Sequence, residues 1–233
     1  MKYDLILLML TLTLFTCVER PRHDMDNSDV SGLSAICIMD NSPLREEPVL
    51  EGELITTLFL GDEFVFTGEI ETDMFTEYYK IELYDGTAGW LEKEAVLFHA
   101  KHAAVIKQTS LYPEIDSHDK SQVTIYPAEY VAILKEEGDW VKVISADRKK
   151  GGWMHRENVS TSEEDIFIAT LAHADLLNEE GVIKTGRLPA FIHSLPDKNT
   201  ALAVYLQERL EEEVVDAIAS SIFEYETAEE NEN

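Results

Sequence analysis

Alternating apolar and polar residues mark the middle of the chain. The segments YKIEL (residues 79–83) and WVKVI (residues 140–144) each place apolar side chains on one face and polar side chains on the other. This period of two indicates a half-buried β-strand. The YDGT that follows the first segment suits a hairpin turn, because Gly86 can adopt a positive φ without steric cost. These segments predict antiparallel strands joined by short turns.

The same pattern occurs a second time. YYKIELYDGTAGWLEKEAV (residues 78–96) and WVKVISADRKKGGWMHRENV (residues 140–159) share an aromatic-x-Lys strand, a Gly-Trp pair and a closing Val. Upstream of each copy, residues 55–70 and 123–139 predict two further short strands around a turn. A repeat of about 62 residues predicts two copies of one small domain.

The hydrophobic period changes after Val159. Ser162, with Asp165 three residues later, indicates a helix start, and apolar residues then recur at helical spacing as far as Gly181. A short helix is expected at 188–194 and a long one over 201–226, where leucine, valine or isoleucine recurs every four residues. We expect the long helix to pack on the shorter helix and the second repeat; a helical hairpin, or a partner or dimer helix, is the alternative. The predicted fold is mainly β with an α-helical C-terminal region.

The N-terminus has the features of a secretion signal. Lys2 precedes an apolar run from Leu5 to Phe15, which is shorter than the roughly 20 residues needed to span a bilayer. The run ends in LFTC, which resembles the lipobox of bacterial lipoproteins. That resemblance implies a signal peptide at 1–16, lipidation at Cys17 and a tether at 17–33. A membrane-anchored envelope protein is therefore expected, with a secreted or periplasmic protein as the alternative.

The charge balance narrows the choice of partners. The chain has 19 Lys and Arg residues against 46 Asp and Glu residues, a net charge of −27. Such a chain repels phosphate backbones and anionic lipid headgroups. No nucleic-acid partner is expected, and membrane attachment would depend on the lipid anchor.

Both repeats resemble bacterial SH3-like domains, in which an aromatic-x-Lys-Val strand leads through a glycine-rich hairpin to a Gly-Trp strand. The resemblance implies tandem small barrels at 34–98 and 102–161, a helical region at 162–226 and an acidic tail at 227–233. It also implies a binding module for peptidoglycan or an envelope protein. The Gly-Trp pairs are expected to be structural, with buried tryptophan rings, and the ligand candidates are the aromatic residues near the loops. The structural residues are Gly89, Trp90, Gly152 and Trp153, and the ligand candidates are Tyr78, Tyr79, Tyr112 and Trp140.

No pattern of catalytic residues is evident in the sequence. No Cys follows Cys37, and Gly-x-Ser-x-Gly and His-Glu-x-x-His are absent. His99 and His102 have a possible metal spacing but no acidic or cysteine ligand beside them, so we expect an interdomain connector and neither metal nor cofactor. The sequence therefore predicts a non-catalytic envelope lipoprotein whose tandem domains bind a wall or protein ligand. An envelope scaffold acting through its C-terminal helices is the alternative.

Overall fold

The computed structural model describes residues 32–115 and 123–231, with side chains as far as residue 216. The predicted signal peptide, the predicted lipidation site Cys17 and nearly all of the predicted tether lie outside the described residues, as do residues 232–233.

The first barrel is a curled sheet of seven antiparallel strands. Its core consists of the inward side chains of the alternating strands, among them Phe64, Phe66, Ile81 and Leu91. Along the sheet the order is β3-β2-β6-β5-β4-β1-β7. The strands are β1 (Leu33–Cys37), β2 (Ser42–Arg45), β3 (Leu54–Leu58), β4 (Glu63–Asp73), β5 (Thr76–Glu82), β6 (Ala88–Glu92) and β7 (Val96–Phe98).

The second barrel repeats this path. Its five-stranded sheet has the order β13-β12-β11-β8-β14, matching β6-β5-β4-β1-β7 of the first barrel, while β9 and β10 form a separate pair. The shared order confirms that the repeat encodes one fold twice. The strands are β8 (Lys101–Val105), β9 (Thr109–Ser110), β10 (Thr124–Ile125), β11 (Tyr130–Glu137), β12 (Trp140–Ser145), β13 (Gly151–His155) and β14 (Val159–Ser160).

Three helices follow the barrels: α1 (Glu163–Asp175), α2 (Leu188–Ser194) and α3 (Ala201–Asn231). The predicted cap is confirmed, because Ser162 Oγ accepts a hydrogen bond from the Asp165 amide at 3.2 Å. The helix ends earlier than Gly181, the end predicted from the sequence. Asn178 Oδ1 accepts hydrogen bonds from the amides of Glu180 and Val182 at 3.0 and 2.9 Å, which holds the chain in a turn instead.

A third hydrophobic core joins the two barrels to the helices. It contains Ile38 and Leu60 of the first barrel, Tyr130 of the second, and helical residues such as Ile168 and Leu206. Polar contacts reinforce the junction. Arg148 Nε donates to the Glu94 carbonyl at 2.6 Å, and its Nη2 donates to the Val96 carbonyl at 2.8 Å. The barrels therefore pack against each other.

The long helix uses its N-terminal half for packing. Leu202 and Leu206 are fully buried and Leu210 is partly buried, with contacts to α1 and α2, whereas Val214 and Val215 are exposed. The expectation that α3 packs on the shorter helices is confirmed for this half. No helix among the described residues is both long and apolar enough to cross a membrane.

Candidate ligand-binding site

The glycine of each Gly-Trp pair makes room for a crossing strand. A Cβ at Gly89 would lie 2.8 Å from the Arg45 carbonyl oxygen and 2.8 Å from Leu44 Cγ. A Cβ at Gly152 would lie 2.8 Å from the Tyr112 carbonyl oxygen. Real Cβ atoms do not approach other atoms so closely, so both positions favour glycine. The Gly-Trp pair therefore closes each barrel against the residues Leu44-Arg45 or Leu111-Tyr112.

The two tryptophans of these pairs are buried outside the barrel cores. Trp90 is 9% exposed and Trp153 is 8% exposed, yet neither belongs to a hydrophobic core cluster. Neighbouring residues on a strand point to opposite faces, so each tryptophan lies on the outer face while Leu91 and Met154 point inward. The rings were expected to be buried within the barrels; they are buried, but on the outer face.

An aromatic cluster lies on this outer face in the second barrel. The rings of Tyr112 and Trp140 meet edge to face, with centroids 5.3 Å apart and planes at 87°. His155 lies against Trp140, with a centroid separation of 3.9 Å and ring planes at 33°. His155 is exposed, and Tyr112 and Trp140 are half-buried. We call these three residues the aromatic face.

The strand register brings the aromatic face together. Trp140 on β12 is paired directly with His155 on β13. Tyr112 bridges to Trp153 on the far side of β13, exchanging both backbone hydrogen bonds at 2.7 and 2.8 Å. Tyr112 and Trp140 are ligand candidates predicted from the sequence, whereas His155, which contacts Trp140, was not among those candidates. The sequence does contain the information that places His155 there. Trp140 and His155 are at equal distances from the turn of one hairpin, and such residues face each other across the two strands.

Lysine side chains lie beside the aromatic face. Lys135 Nζ is 6.0 Å from the centre of the Trp153 ring, a cation–π contact. Lys142, two residues after Trp140 on the same strand, is exposed and makes no ion pair among the described residues. The nearby Glu136 has a lowered pKa, because it accepts hydrogen bonds from Lys101 and then from Arg156. Lys135 also forms an ion pair with Glu137, so the charge that stays unpaired among the described residues beside this stacking surface is that of Lys142.

The first barrel has no equivalent surface. Tyr78 stands where the second barrel has Trp140, but it is only 2% exposed. Tyr79 points into the barrel core, where its ring centre lies 5.1 Å from that of Phe66. Burial raises the pKa of both phenols. These two residues expose almost no surface to a ligand, which corrects the expectation drawn from their position near the loops. Tyr112 and Trp140 retain accessible rings.

Two residues considered for chemistry in the sequence, Cys37 and His102, make structural contacts. Cys37 is fully buried, donates to the Met39 carbonyl at 3.1 Å, and has its pKa raised by burial to about 11. A thiol in this state is a poor nucleophile. His102 bridges the barrels, with Nδ1 2.7 Å from the Tyr130 hydroxyl and Nε2 3.1 Å from Glu63 Oε1. Within the described ranges, no group of three or more His, Cys, Asp or Glu side chains is placed to hold a metal ion.

Comparison with protein-family models decides what the repeats are. Residues 52–97 and 107–160 each match the GW (Gly-Tryp) dipeptide domain. The chain is thus similar to GW domains over two tandem segments. The matches include the Gly-Trp pairs at 89–90 and 152–153, and they cover somewhat less than half of the chain.

Other comparisons add little to this assignment. A sequence search of curated proteins finds no match. Among solved structures the chain is similar to NlpC2 from Trichomonas vaginalis, at 8% identity and a TM-score of 0.25, covering 58% of this chain and 50% of that one. NlpC1 from the same organism has 10% identity and a TM-score of 0.25, with coverage of 57% and 46%. The chain thus spans about half the length of these proteins, and likeness at this level carries no functional argument.

Proposed function

We propose that this protein is a non-catalytic binding protein of the cell envelope, whose second GW domain docks a cell-wall or envelope-protein ligand on the aromatic face. GW domains are cell-wall-binding modules, which supports a binding role for this protein. The ligand site is assigned to the second copy because Tyr112, Trp140 and His155 form an accessible cluster there. Aromatic side chains beside the loops of small barrels form docking surfaces for peptides.

The first GW domain has a supporting role in this proposal. Arg45 occupies the place of Tyr112, pairing with Trp90 as Tyr112 pairs with Trp153. Its guanidinium donates to the Gly52 carbonyl at 2.8 Å and so holds the loop that follows β2. Tyr78 is buried on the same face. The first barrel then acts as a rigid support for the second, rather than as an equal partner in avid binding.

Co-sedimentation with purified peptidoglycan sacculi tests the proposal. The full-length protein should pellet with sacculi, and Trp140→Ala and Tyr112→Ala should each lower the pelleted fraction. Tyr84→Ala is the matched control, because Tyr84 is an exposed aromatic residue of the first barrel with 71% exposure. Equal pelleting of all variants would argue against the aromatic face. Wild-type protein that stays in the supernatant would exclude the wall as ligand and leave an envelope protein.

Membrane anchoring through Cys17 is a separate part of the proposal. It rests on the LFTC sequence at the end of the apolar run. Metabolic labelling with a fatty acid should mark the wild-type protein, and Cys17→Ser should abolish the label and release the protein from the membrane fraction. Label retained in Cys17→Ser would contradict lipidation at this residue and favour a secreted or periplasmic protein with some other modification.

The absence of catalysis is also a proposal. It is supported by the buried Cys37 thiol and by a Gly-Trp fold whose accessible face is aromatic. Prolonged incubation of the purified protein with sacculi should release no soluble muropeptides. Their release at a rate proportional to protein concentration would show that the protein is a hydrolase.

A scaffold role for the C-terminal helix is the second candidate. Val214 and Val215 are exposed beyond the half of α3 that packs on α1 and α2. Cross-linking in cells separates the two functions. Muropeptides attached near residue 140 would favour the wall-binding function, whereas a protein attached within residues 200–225 would favour the scaffold.

A further inference from the structure

The hairpin between β4 and β5 ends in two apolar side chains that are almost fully exposed. Met74 is 86% exposed and Phe75 is 101% exposed, so both stand in solvent at the tip of the turn. Single exposed hydrophobic residues are ordinary, but two adjacent ones at the end of a projecting hairpin are not needed for the barrel.

The equivalent turn of the second barrel has no apolar residues. There the β11–β12 turn is Gly138-Asp139, and Gly138 takes a φ of 56°. In the first barrel the same turn position is Met74, with a φ of 50°. A left-handed conformation costs free energy for any residue with a Cβ, and such strain persists where it serves another purpose. The first barrel therefore keeps an apolar side chain where glycine would be more stable.

The hairpin of the first barrel also reaches farther. Its strand β5 begins at Thr76, two residues before Tyr78, whereas β12 begins at Trp140, the residue equivalent to Tyr78. Two residues of strand add roughly 7 Å. The tip thus projects beyond the barrel and carries its two apolar side chains away from the rest of the surface.

Acidic residues surround the tip. Glu77 forms an ion pair with Lys93 at 3.0 Å, but Glu71 and Asp73 have no ion pair among the described residues. These carboxylates would be repelled by an anionic membrane surface and attracted by basic side chains. An apolar centre with an acidic surround is complementary to an apolar pocket with a basic rim.

We propose that the Met74–Phe75 tip is a docking site for a partner protein that presents an apolar pocket rimmed by Lys or Arg residues. The site lies in the first GW domain and is independent of the aromatic face of the second. Phe75 is the central anchor, Met74 packs beside it, and Glu71 and Asp73 orient the partner through charge.

Site-specific photo-cross-linking in the native cells tests this. The full chain carries p-benzoylphenylalanine at position 75, with the same group at position 139, in the equivalent turn of the second barrel, as the matched control. A discrete protein adduct from position 75, absent from position 139, is expected. No adduct above the control would overturn the proposal.

Binding measurements then decide whether the adduct reflects the proposed contact. The cross-linked protein, purified, should bind the full chain with an affinity that falls with added salt and is roughly tenfold or more weaker for the Met74→Gly/Phe75→Ser variant. Glycine suits the backbone at position 74, so this variant should fold and should still pellet with sacculi like wild type. Unchanged affinity in the variant would overturn the proposal.

A membrane is the competing occupant. Flotation of the full chain with phosphatidylcholine and with phosphatidylglycerol vesicles detects it. With Cys17→Ser as background to remove any lipid anchor, flotation that depends on Phe75 would overturn the proposal in favour of lipid insertion. Flotation that is absent, or independent of Phe75, supports the protein partner.

Discussion

The two barrels share a strand order but differ on the face that carries the Gly-Trp pair. In the first, Arg45, Tyr78 and Glu92 occupy the positions that Tyr112, Trp140 and His155 occupy in the second. In the first set Tyr78 is buried, at 2% exposure, whereas the second set leaves its rings accessible. Duplication of a fold therefore does not imply duplication of its site, because exposure depends on a few substitutions outside the core.

A second difference concerns the turn that precedes β4 in the first barrel and β11 in the second. In each barrel a carboxylate accepts a backbone hydrogen bond within this turn. Asp62 Oδ2 accepts the Phe59 amide at 2.8 Å in the first barrel, where Asp62 is half-buried and the hydrogen bond is exposed to solvent. Glu129 Oε1 accepts the Tyr126 amide at 2.7 Å in the second, where it is buried and paired with Lys150 at 2.6 Å. The same local hydrogen bond is thus solvated in one copy and enclosed by the helical region in the other.

The largest expected difference in stability is between substitutions at the equivalent positions Tyr78 and Trp140. Tyr78→Ala should lower the free energy of unfolding by about 4 kcal/mol, because it removes a buried aromatic side chain. Trp140→Ala should cost about 1 kcal/mol, because its ring is only half-buried, but it should lower binding to sacculi. Urea denaturation and co-sedimentation together measure both. Comparable losses of stability in the two variants would mean that the faces are equally enclosed.

Loss of the buried ion pair between Lys150 and Glu129 should destabilise the fold nearly as much as Tyr78→Ala. Lys150→Met leaves the Glu129 carboxylate buried without its cation, which should cost about 3 kcal/mol. Asp62→Asn, the control in the first barrel, should cost less than about 1 kcal/mol, because Asp62 is solvated and its amide oxygen still accepts the hydrogen bond. Equal effects in urea denaturation would contradict the contrast between the enclosed and the solvated turn.

The same pair predicts a pH dependence. Burial, partly offset by Lys150, raises the pKa of Glu129 above its usual value. The folded state therefore holds this proton more tightly than the unfolded state does. The contribution of Glu129 to stability should then fall as the pH rises from about 4.3, the unfolded value, through the raised pKa. Lys150→Met should steepen this fall in denaturation series across acidic pH, and a shallower slope than wild type would refute the assignment.

Substitution of the motif glycines should have a moderate effect. Gly89→Ala and Gly152→Ala each place a Cβ 2.8 Å from a backbone carbonyl oxygen, so the crossing strand must move, at a cost of about 2 kcal/mol. Gly86→Ala is a control without steric overlap, since nothing lies within 4 Å of its Cβ; only the cost of its φ of 86° remains. Thermal denaturation ranks the three, and similar losses for Gly86 and Gly89 would argue against the crossing strand as the cause.

Substitutions in the β4–β5 and β11–β12 turns should change stability least, and in opposite directions. Met74→Gly should stabilise the first barrel by about 1 kcal/mol and Gly138→Ala should destabilise the second by about 1 kcal/mol, because both residues adopt a left-handed φ. Careful chemical denaturation resolves differences of this size. Destabilisation by Met74→Gly would mean that the methionine makes a contact that favours the folded hairpin.

Much of the local structure was predictable because its causes are local. Strand alternation, the Ser162 cap and the helix at 188–194 depend on residues near one another in the chain, and all three are present. The predicted end of α1 was wrong, because Asn178 holds the chain in a turn that the spacing of apolar residues did not reveal. The repeat itself was visible because the Gly-Trp pair recurs with the same neighbours.

The sequence by itself determined the two barrels, their order and the helices that follow. Only the tertiary structure decided which aromatic rings are accessible and that Arg148 ties the second barrel to the first. Tyr78 and Trp140 have the same place in the pattern, yet one is covered and the other is not. The physical reason is that exposure depends on what distant segments cover, whereas periodicity reports only the face of the strand on which a residue lies.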